Sequence, residues 1–286
     1  MRVLVGTGCL SASVALVVAG CTYDVPDVVT GGGGGGGGDP VACEQSFAAR
    51  GVAFDGETWL LRDPLEGEMN TRSYALSYWY RIVVQDPQQA IAHMDVFSSA
   101  NLVSQTYFES GLYLGRVSRA TDDGGTKQSF FSNGPVATFD QDTKATSWHH
   151  VLFLSDMDGL QVFHDGVVVK GDVEDSGGDL DFTGNGGWGV GATGDGSSPL
   201  FGELAEVYLA LDAGFADAET ALSSFRTSSG TPADLGCDGS RPTGSKPIVY
   251  LTHREGDASE FAQNRGSGGG FAIQGTLTSG TIVTPP

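Results

Sequence analysis

The chain has 286 residues, enough for two average domains or one large β-sandwich. Its formal net charge of −20 at pH 7 repels phosphate backbones and no basic patch offsets it, so nucleic-acid binding is excluded. Many of its 44 glycines lie in turns between short apolar runs, and long helical periodicities are absent from the sequence. This pattern favours an all-β architecture.

The first 21 residues predict an export signal. Arg2 gives a short basic start, an apolar stretch of small residues follows, and the stretch ends in Val18-Ala19-Gly20-Cys21. The segment resembles the signal of bacterial lipoproteins, in which an aliphatic residue and two small residues precede a cysteine. An ordinary secretory signal and a transmembrane anchor are the alternatives, and the interrupting glycine, threonine and serine residues count against the second.

This resemblance implies a signal peptide over residues 1–20 and lipidation of Cys21, whose acyl chains anchor the protein to a membrane. Thr22 follows the cysteine, where inner-membrane retention typically uses aspartate. In a Gram-negative host this favours the outer membrane, within the cell envelope, with the protein facing either the periplasm or the cell surface. Residues 21–40 then predict a tether, because the glycine run from Gly31 to Gly38 packs no core.

Cysteine usage predicts one disulfide bond in the mature chain. Cys9 leaves with the signal and Cys21 carries lipid, so Cys43 and Cys237 remain in an oxidising compartment. We expect these two to pair, with two free thiols as the alternative. By the chain-entropy model such a bridge contributes about 5 kcal/mol, less any strain.

From residue 41 to residue 236 the pattern predicts a succession of antiparallel strands. In chain order these are residues 58–61, 73–84, 95–98, 111–117, 129–132, 150–154, 160–163, 167–169, 187–192 and 200–211. The aromatic row in 73–84 is interpreted as sandwich core, with a sugar-stacking platform as the rival. Asp217 to Arg226 predicts one short helix, which Asp217 caps.

The stretch 148–170 predicts an antiparallel meander of three of these strands. Asp158-Gly159 and Asp165-Gly166 lie between its apolar runs, and Asp-Gly readily takes the positive φ angles of a two-residue hairpin turn. The histidines and aspartates of the meander are therefore interpreted as strand and turn residues.

The last 50 residues, 237–286, predict a β-extension of the sandwich. Pro247 to His253 is a strand candidate, and a glycine-rich loop that begins at Asn264 leads to another. The loop has no Gly-Lys-Ser/Thr and no helix after it, so a phosphate-binding loop is excluded.

Four motifs occur in a fixed order. They are Ser-Trp-His-His-Val at 147–151, Val-Phe-His-Asp-Gly at 162–166, Gly-Val-Gly-Ala at 189–192 and Phe-Gly-Glu-Leu-Ala-Glu-Val-Tyr at 201–208. With the short helix after them, they resemble the laminin G-like domains, which belong to the concanavalin A-like jelly rolls. The resemblance implies an all-β, antiparallel β-sandwich with one short helix, occupying residues 41–236.

The same resemblance implies one Ca²⁺ at the rim of the sandwich, held by Asp or Asn side chains and backbone carbonyls. By position Asp195 is the implied ligand, with Asp95 as a second. Solvated loop acids are the alternative interpretation for both residues. The acid-rich residues 172–181 are interpreted as a solvated loop.

Catalysis is the less favoured interpretation. Glycoside hydrolases share this fold and need paired carboxylates, for which Glu203 and Glu206 are the best candidates. Three residues apart on a strand, they are predicted to point to opposite faces. A metalloprotease His-Glu-x-x-His and a Gly-x-Ser-x-Gly elbow are absent, and His149 and His150 alternate faces. We therefore expect no enzymatic activity.

Together these features predict a monomeric binding module, anchored to a membrane, that recognises a glycan or a protein. Its ligand would contact either the jelly-roll loops near Asp195 or one face of a sheet. Two alternatives stay open. Two close carboxylates in an open aromatic groove would favour a divergent glycoside hydrolase or lyase, and a featureless surface would favour a structural cell-envelope protein.

Overall fold

The computed structural model describes residues 48–64, 70–99, 104–119, 126–156, 158–182, 187–254 and 256–286. The chain divides into two units, Met1–Pro40 and Val41–Pro286. The predicted signal peptide and tether lie in the first unit, outside the described residues. All the elements below belong to the second unit.

The first sheet, sheet A, has eight antiparallel strands, numbered in chain order. Its spatial order is β11 (Val167–Val168), β10 (Gly159–His164), β9 (His149–Asp156), β4 (Tyr74–Ile82), β15 (Phe201–Leu211), β1 (Arg50–Asp55) and β18 (Thr278–Ile282). The eighth strand, β16 (Val249–Leu251), pairs with the later part of β15. Sheet A therefore contains most of the predicted meander at one edge and C-terminal strands at the other.

Sheet B also has eight antiparallel strands. Its spatial order is β12 (Gly171–Asp175), β8 (Thr126–Ser132), β7 (Tyr113–Arg119), β6 (Ser104–Glu109), β5 (Met94–Ser99), β14 (Trp188–Val190), β2 (Trp59–Arg62) and β17 (Ala272–Gln274). A separate two-stranded pair joins β3 (Asn70–Thr71) to β13 (Leu180–Asp181). Each of the two large sheets has to bury one of its faces. The two sheets are therefore expected to pack face to face, with the core between them.

That core lies between the two sheets. Tyr78 and Val151 from sheet A belong to the same buried cluster as Phe108 and Leu114 from sheet B. Residues of this cluster alternate along these strands with residues that point to the other side of the sheet, as the period of two requires. The prediction of an all-β antiparallel sandwich is confirmed.

Helices are short and few in the described residues. The predicted helix is present as α2 (Ala218–Phe225), and the Asp217 carboxylate accepts the backbone N–H of Thr220 at 2.7 Å. The prediction of a single helix was incomplete, because α1 (Pro87–Ala90) and a 3₁₀-helix (Ala258–Gln263) are also present. None of the helices in the described ranges has the length and apolar content needed to cross a membrane.

The meander is present with one of its two turns as predicted. Asp165 and Gly166 have φ angles of 51° and 82° and form the two-residue loop between β10 and β11. The first turn is displaced by one residue, because Gly159 already pairs with Asp156 as a member of β10.

Residues 237–286 supply strands to both sheets. β16 and β18 join sheet A, and β17 joins sheet B at its edge beside β2. The division of the folded unit at residue 236 stays a prediction.

The burial of His150 predicts that the folded protein loses stability in acid. It is fully buried, its Nε2 lies 2.9 Å from the Ser77 hydroxyl, and burial lowers its pKa to about 3. In the unfolded chain His150 binds a proton near pH 6.5, so the contribution of the neutral buried ring to the free energy of unfolding is complete above that pH. It is lost as the pH falls from about 6.5 towards 3, at up to about 1.4 kcal/mol per pH unit.

The comparison is wild type against His150→Gln, which removes the titration and keeps a polar partner for Ser77. Urea unfolding between pH 7 and pH 4 is expected to show a shallower loss of stability in the variant. Acidic groups contribute equally to both proteins. Parallel pH curves for the two proteins would contradict the assignment.

Candidate functional site

The predicted cysteine sites are described only in part. Cys21 and Cys43 lie outside the described residues. Cys237 lies within them and is disulfide-bonded. The lipidation of Cys21 and the pairing of Cys43 with Cys237 stay predictions.

Asp195, the first predicted calcium ligand, is held by its own loop. Its Oδ1 accepts the backbone N–H of Ser197 at 3.0 Å, the Ser197 hydroxyl at 2.8 Å and the Thr193 hydroxyl. The bond from Thr193, followed by those from Ser197, favours the charged carboxylate and lowers the pKa of Asp195. These contacts order the loop around the carboxylate.

Asp95, the second predicted ligand, is fully buried. Its Oδ1 accepts the Gln105 amide at 2.8 Å and the Ser98 hydroxyl, and His93 Nε2 lies 3.4 Å from its Oδ2. The backbone N–H of Asp95 donates to the Ser198 carbonyl at 2.8 Å, so the two predicted ligands lie on neighbouring segments. Neither carboxylate belongs to a converging group of three metal-ligand side chains in the described part of the chain. The calcium site stays a prediction.

The aromatic row of β4 is core. Tyr74, Tyr78, Trp79 and Tyr80 are all buried, at 1% exposure or less. A sugar has no access to rings at that exposure, so the predicted core role is confirmed and a sugar platform on this strand is excluded.

Aromatic and acidic side chains instead lie on the outer side of sheet B, on a surface that we call the aromatic face. It comprises Tyr107 and Glu109 from β6, Tyr113 from β7, Phe131 from β8, and Asp172 and Glu174 from β12. Their neighbours in sequence, such as Phe108, Leu114 and Phe130, pack in the core, so alternation directs these residues outward.

Strand register aligns the aromatic face across the sheet. Asp172 lies opposite Phe131, and Phe131 lies opposite Gly115. Gly115 in turn lies opposite Tyr107. Four strands therefore present one continuous row of side chains, with a glycine in its middle.

Two stacked ring pairs occupy this face. Tyr113 and Phe131 have ring centroids 5.6 Å apart and planes inclined by 12°, and Phe131 is 37% exposed. His93 and Tyr107 have centroids 4.4 Å apart and planes inclined by 24°. The Tyr107 ring lies against Gly115, where a Cβ atom would come within 2.2 Å of its Cζ. Only glycine leaves room for that ring position.

Tyr107 and Phe131, one ring from each pair, border a shallow depression of about 430 Å³. Its lining includes three carboxylates, from Glu109, Asp172 and Glu174. Among the described residues that line it, none is basic. The depression therefore offers flat apolar surfaces beside hydrogen-bond acceptors, in a negative field.

His93 is the titratable group at the edge of this face. Its hydrogen bond to Asp95 raises its pKa above the usual value, burial opposes the rise, and the charges of Asp95 and Glu109 add to it. The ring is thus held over Tyr107 by an ionic partner beneath it.

Glu203 and Glu206 lie on the same side of sheet A, so the expectation that they face opposite ways was wrong. The register of β15 with β4 shifts after Ala205, and Glu206 has a φ of 47°. Leu204 and Val207 both pack in the core, so this bulge leaves Ala205 and Glu206 together on the outer side. Glu203, next to Leu204, faces outward too.

Both glutamates are occupied by protein groups. Glu203 forms an ion pair with Arg81 at 3.0 Å and accepts the Thr281 N–H at 2.9 Å. Glu206 accepts the Tyr250 hydroxyl at 2.7 Å and the Thr252 hydroxyl, and burial raises its pKa. The two side chains fasten the C-terminal strands to sheet A.

Sequence reasoning missed β6 and β12, which carry four residues of the aromatic face. The acidic segment predicted as a solvated loop is in part the edge strand β12. The available signal was the alternation Asp172-Val173-Glu174, a period of two that is typical of an edge strand. On β6, Tyr107 and Phe108 are adjacent strand-forming residues among polar ones.

No protein-family model and no curated protein matches the chain. Among solved structures, it is similar to the binding domain of Paraclostridial Mosquitocidal Protein 1, with 9% identity, 57% of this chain and 48% of that one covered, and a TM-score of 0.37. It is similar to domains LG4-5 of the mouse laminin alpha1 chain, with 13% identity, 58% and 43% covered, and a TM-score of 0.38. The chain spans about half the length of these two structures.

A third similar structure is domain 4 of AbnA, a GH43 extracellular arabinanase from Geobacillus stearothermophilus, in complex with arabinotriose. It shows 16% identity, with 56% of this chain and 69% of that one covered, and a TM-score of 0.33. Likenesses of this strength carry no argument about family or function.

Proposed function

We propose that this protein is a lipid-anchored extracytoplasmic binding module that recognises a glycan through the aromatic face. Acylated Cys21 and the glycine-rich tether would hold the folded unit off the outer membrane.

The observation that carries the proposal is the Tyr113–Phe131 pair beside acidic side chains, in which Phe131 is exposed and Tyr113 is half-buried. Its two rings are stacked with nearly parallel planes, inclined by 12°. Pyranose and furanose rings present flat C–H surfaces that pack on such rings, while their hydroxyls donate to carboxylates such as Asp172 and Glu174. A sheet face that carries both groups matches this ligand chemistry.

Charge narrows the ligand class. The depression has three carboxylates, and the whole chain has a formal net charge of −20. Sulfated or uronic-acid glycans would be repelled, since like charges in proximity oppose association. We therefore expect a neutral or amine-bearing glycan.

Binding is favoured over catalysis because of where Glu203 and Glu206 lie. Both side chains are buried and accept protein hydrogen bonds, so neither faces a sugar. The carboxylates of the aromatic face are open to solvent, which suits hydroxyl recognition. Ca²⁺ at Asp195 and Asp95 remains part of the proposal only as a loop-ordering ion.

The test is a glycan and cell-wall polysaccharide binding array, probed with the chain from residue 22 onward, with and without Ca²⁺. Neutral or amine-bearing glycans are expected to give the signals. The double variant Tyr113→Ala/Phe131→Ala is expected to bind about 5- to 150-fold more weakly, since each stacked ring contributes about 0.5–1.5 kcal/mol.

Val167→Ala/Val168→Ala is the matched control, because it shortens two exposed apolar side chains on β11, outside the aromatic face. Its binding is expected to equal that of the wild type. A uniformly negative array, or an undiminished signal in the double aromatic variant, contradicts the proposal. Release of new reducing ends would favour the glycoside hydrolase alternative instead.

A further inference from the structure

The meander brings two histidines and an aspartate together at its edge. His149 begins β9, His164 ends β10, and Asp165 follows in the turn. His149 Nδ1 lies 2.7 Å from Asp165 Oδ2, and His164 Nδ1 lies 3.4 Å from the same oxygen. One ligand atom from each residue lies within 4.8 Å of the others.

Surrounding groups fix the direction of each ligand. The Tyr80 hydroxyl lies 2.9 Å from His164 Nε2, so Nδ1 is the nitrogen directed at the aspartate. Asp165 Oδ1 accepts the backbone N–H of His150 at 2.9 Å, which leaves Oδ2 facing the imidazoles. Metal-binding histidines typically have an outer nitrogen held in this way.

The spacing of His164 and Asp165 suits an ion, whereas His149 Nδ1, at 2.7 Å from Asp165 Oδ2, is at hydrogen-bond distance and would move back on binding. Two ligands each about 2.1 Å from a tetrahedral ion lie about 3.4 Å apart, which is the separation of His164 Nδ1 and Asp165 Oδ2. When His164 Nε2 donates to Tyr80, the Nδ1 lone pair faces a carboxylate oxygen. That contact is repulsive unless a cation lies between the two atoms.

The cluster is partly open to solvent. Side-chain exposures are 13% for His149, 11% for His164 and 20% for Asp165. His164 also lines a depression of about 300 Å³, together with Pro135 and Val168. An ion can therefore reach His164 from this depression, and the Asp165 carboxylate is partly open to solvent.

We propose that His149, His164 and Asp165 bind a divalent transition-metal ion of the zinc class, with water in the fourth position. Two imidazole nitrogens and one carboxylate are ligands that zinc accepts, whereas Ca²⁺ requires an all-oxygen set. The site uses no residue of the aromatic face and no residue of the predicted calcium site. On binding, the proton shared by His149 and Asp165 leaves for solvent, and a metal–ligand bond to each replaces that hydrogen bond.

The experiment uses the untagged mature chain, stripped with a chelator, and two probes. Isothermal titration with Zn²⁺ is expected to show one ion per chain, and Co²⁺ is expected to give the intense visible absorption of a tetrahedral site. His149→Gln and Asp165→Asn are expected to weaken Zn²⁺ binding more than about 100-fold. This exceeds the loss in metal affinity that is typical when a residue that only hydrogen-bonds to a ligand is removed. Asparagine also tolerates the positive φ of position 165.

His93→Gln is the matched control, since His93 also lies beside two carboxylates, at 3.4 Å from Asp95 and 3.9 Å from Glu109. It is expected to bind Zn²⁺ as the wild type does. Tyr80→Phe removes only the outer partner of His164 and is expected to cost about 10- to 100-fold in affinity. Circular dichroism of each chain establishes that it is folded.

Two results would overturn the metal site. One is the absence of Zn²⁺ and Co²⁺ binding to the wild type. The other is binding that persists at wild-type affinity in folded His149→Gln, which would place the ion elsewhere. A zinc-induced rise in melting temperature, present in the wild type and His93→Gln and absent in His149→Gln, would support the site independently.

Discussion

Glu206→Ala is expected to lower the free energy of unfolding by about 2–6 kcal/mol, because it leaves two buried hydroxyls without an acceptor. Tyr250 donates to Glu206 at 2.7 Å and Thr252 donates to its other oxygen. Each buried polar group that loses its partner costs about 1–3 kcal/mol. Both donors lie on or beside β16, so its attachment to β15 weakens.

The measurement is urea unfolding at pH 7, followed by tryptophan fluorescence. Glu219→Ala on α2 is the control, because Glu219 is exposed, and its loss is expected to stay within about 0.5 kcal/mol. Glu206→Gln keeps an acceptor oxygen and is expected to lose less than Glu206→Ala. If Glu206→Ala unfolds at the same urea concentration as Glu219→Ala, the structural role assigned to Glu206 is wrong.

Gly115→Ala is expected to reduce glycan affinity about tenfold without touching the ligand. The new Cβ would lie 2.2 Å from Cζ of Tyr107, so the ring must leave its place against the sheet and its stack on His93. The flexible side chain can swing away, so the fold survives while the aromatic face loses its shape. Rigid aromatic anchors typically account for losses of this size.

The binding experiment uses the glycan that gives the strongest array signal. Gly214→Ala is the matched control, since a Cβ at Gly214 meets no atom within 4 Å and its backbone is not in the left-handed region. It is expected to bind as the wild type does. Equal affinities for Gly115→Ala and Gly214→Ala would show that Tyr107 does not contribute to recognition.

The core strands could be predicted from sequence because their signals are local. The aromatic row of β4 and the apolar runs of the meander appear within the predicted segments 73–84 and 148–170. β12 was not predicted because Asp172 and Glu174 reduce the hydrophobicity on which strand prediction relies. It forms by pairing with β8, whose partner residues lie 39 to 47 residues earlier in the chain.

The orientation of Glu203 and Glu206 shows a different limit of prediction from sequence. Alternation places Glu203 and Glu206 on opposite faces of a regular strand, and the bulge after Ala205 reverses that result. The bulge accommodates a φ of 47° at a non-glycine residue, which local propensity disfavours. Contacts with Tyr250 and Thr252, about 45 residues away, hold Glu206 there.

The meander has some features that local sequence determines and others that depend on the tertiary fold. The sequence alone determined its strands and its second turn, because Asp165-Gly166 fixes a two-residue hairpin by backbone preference. Only the tertiary structure decided that the turn aspartate meets His149 and His164, since that meeting depends on register and on Tyr80 from a third strand. Turn geometry follows from neighbouring residues, whereas a convergence of side chains depends on which strands pair.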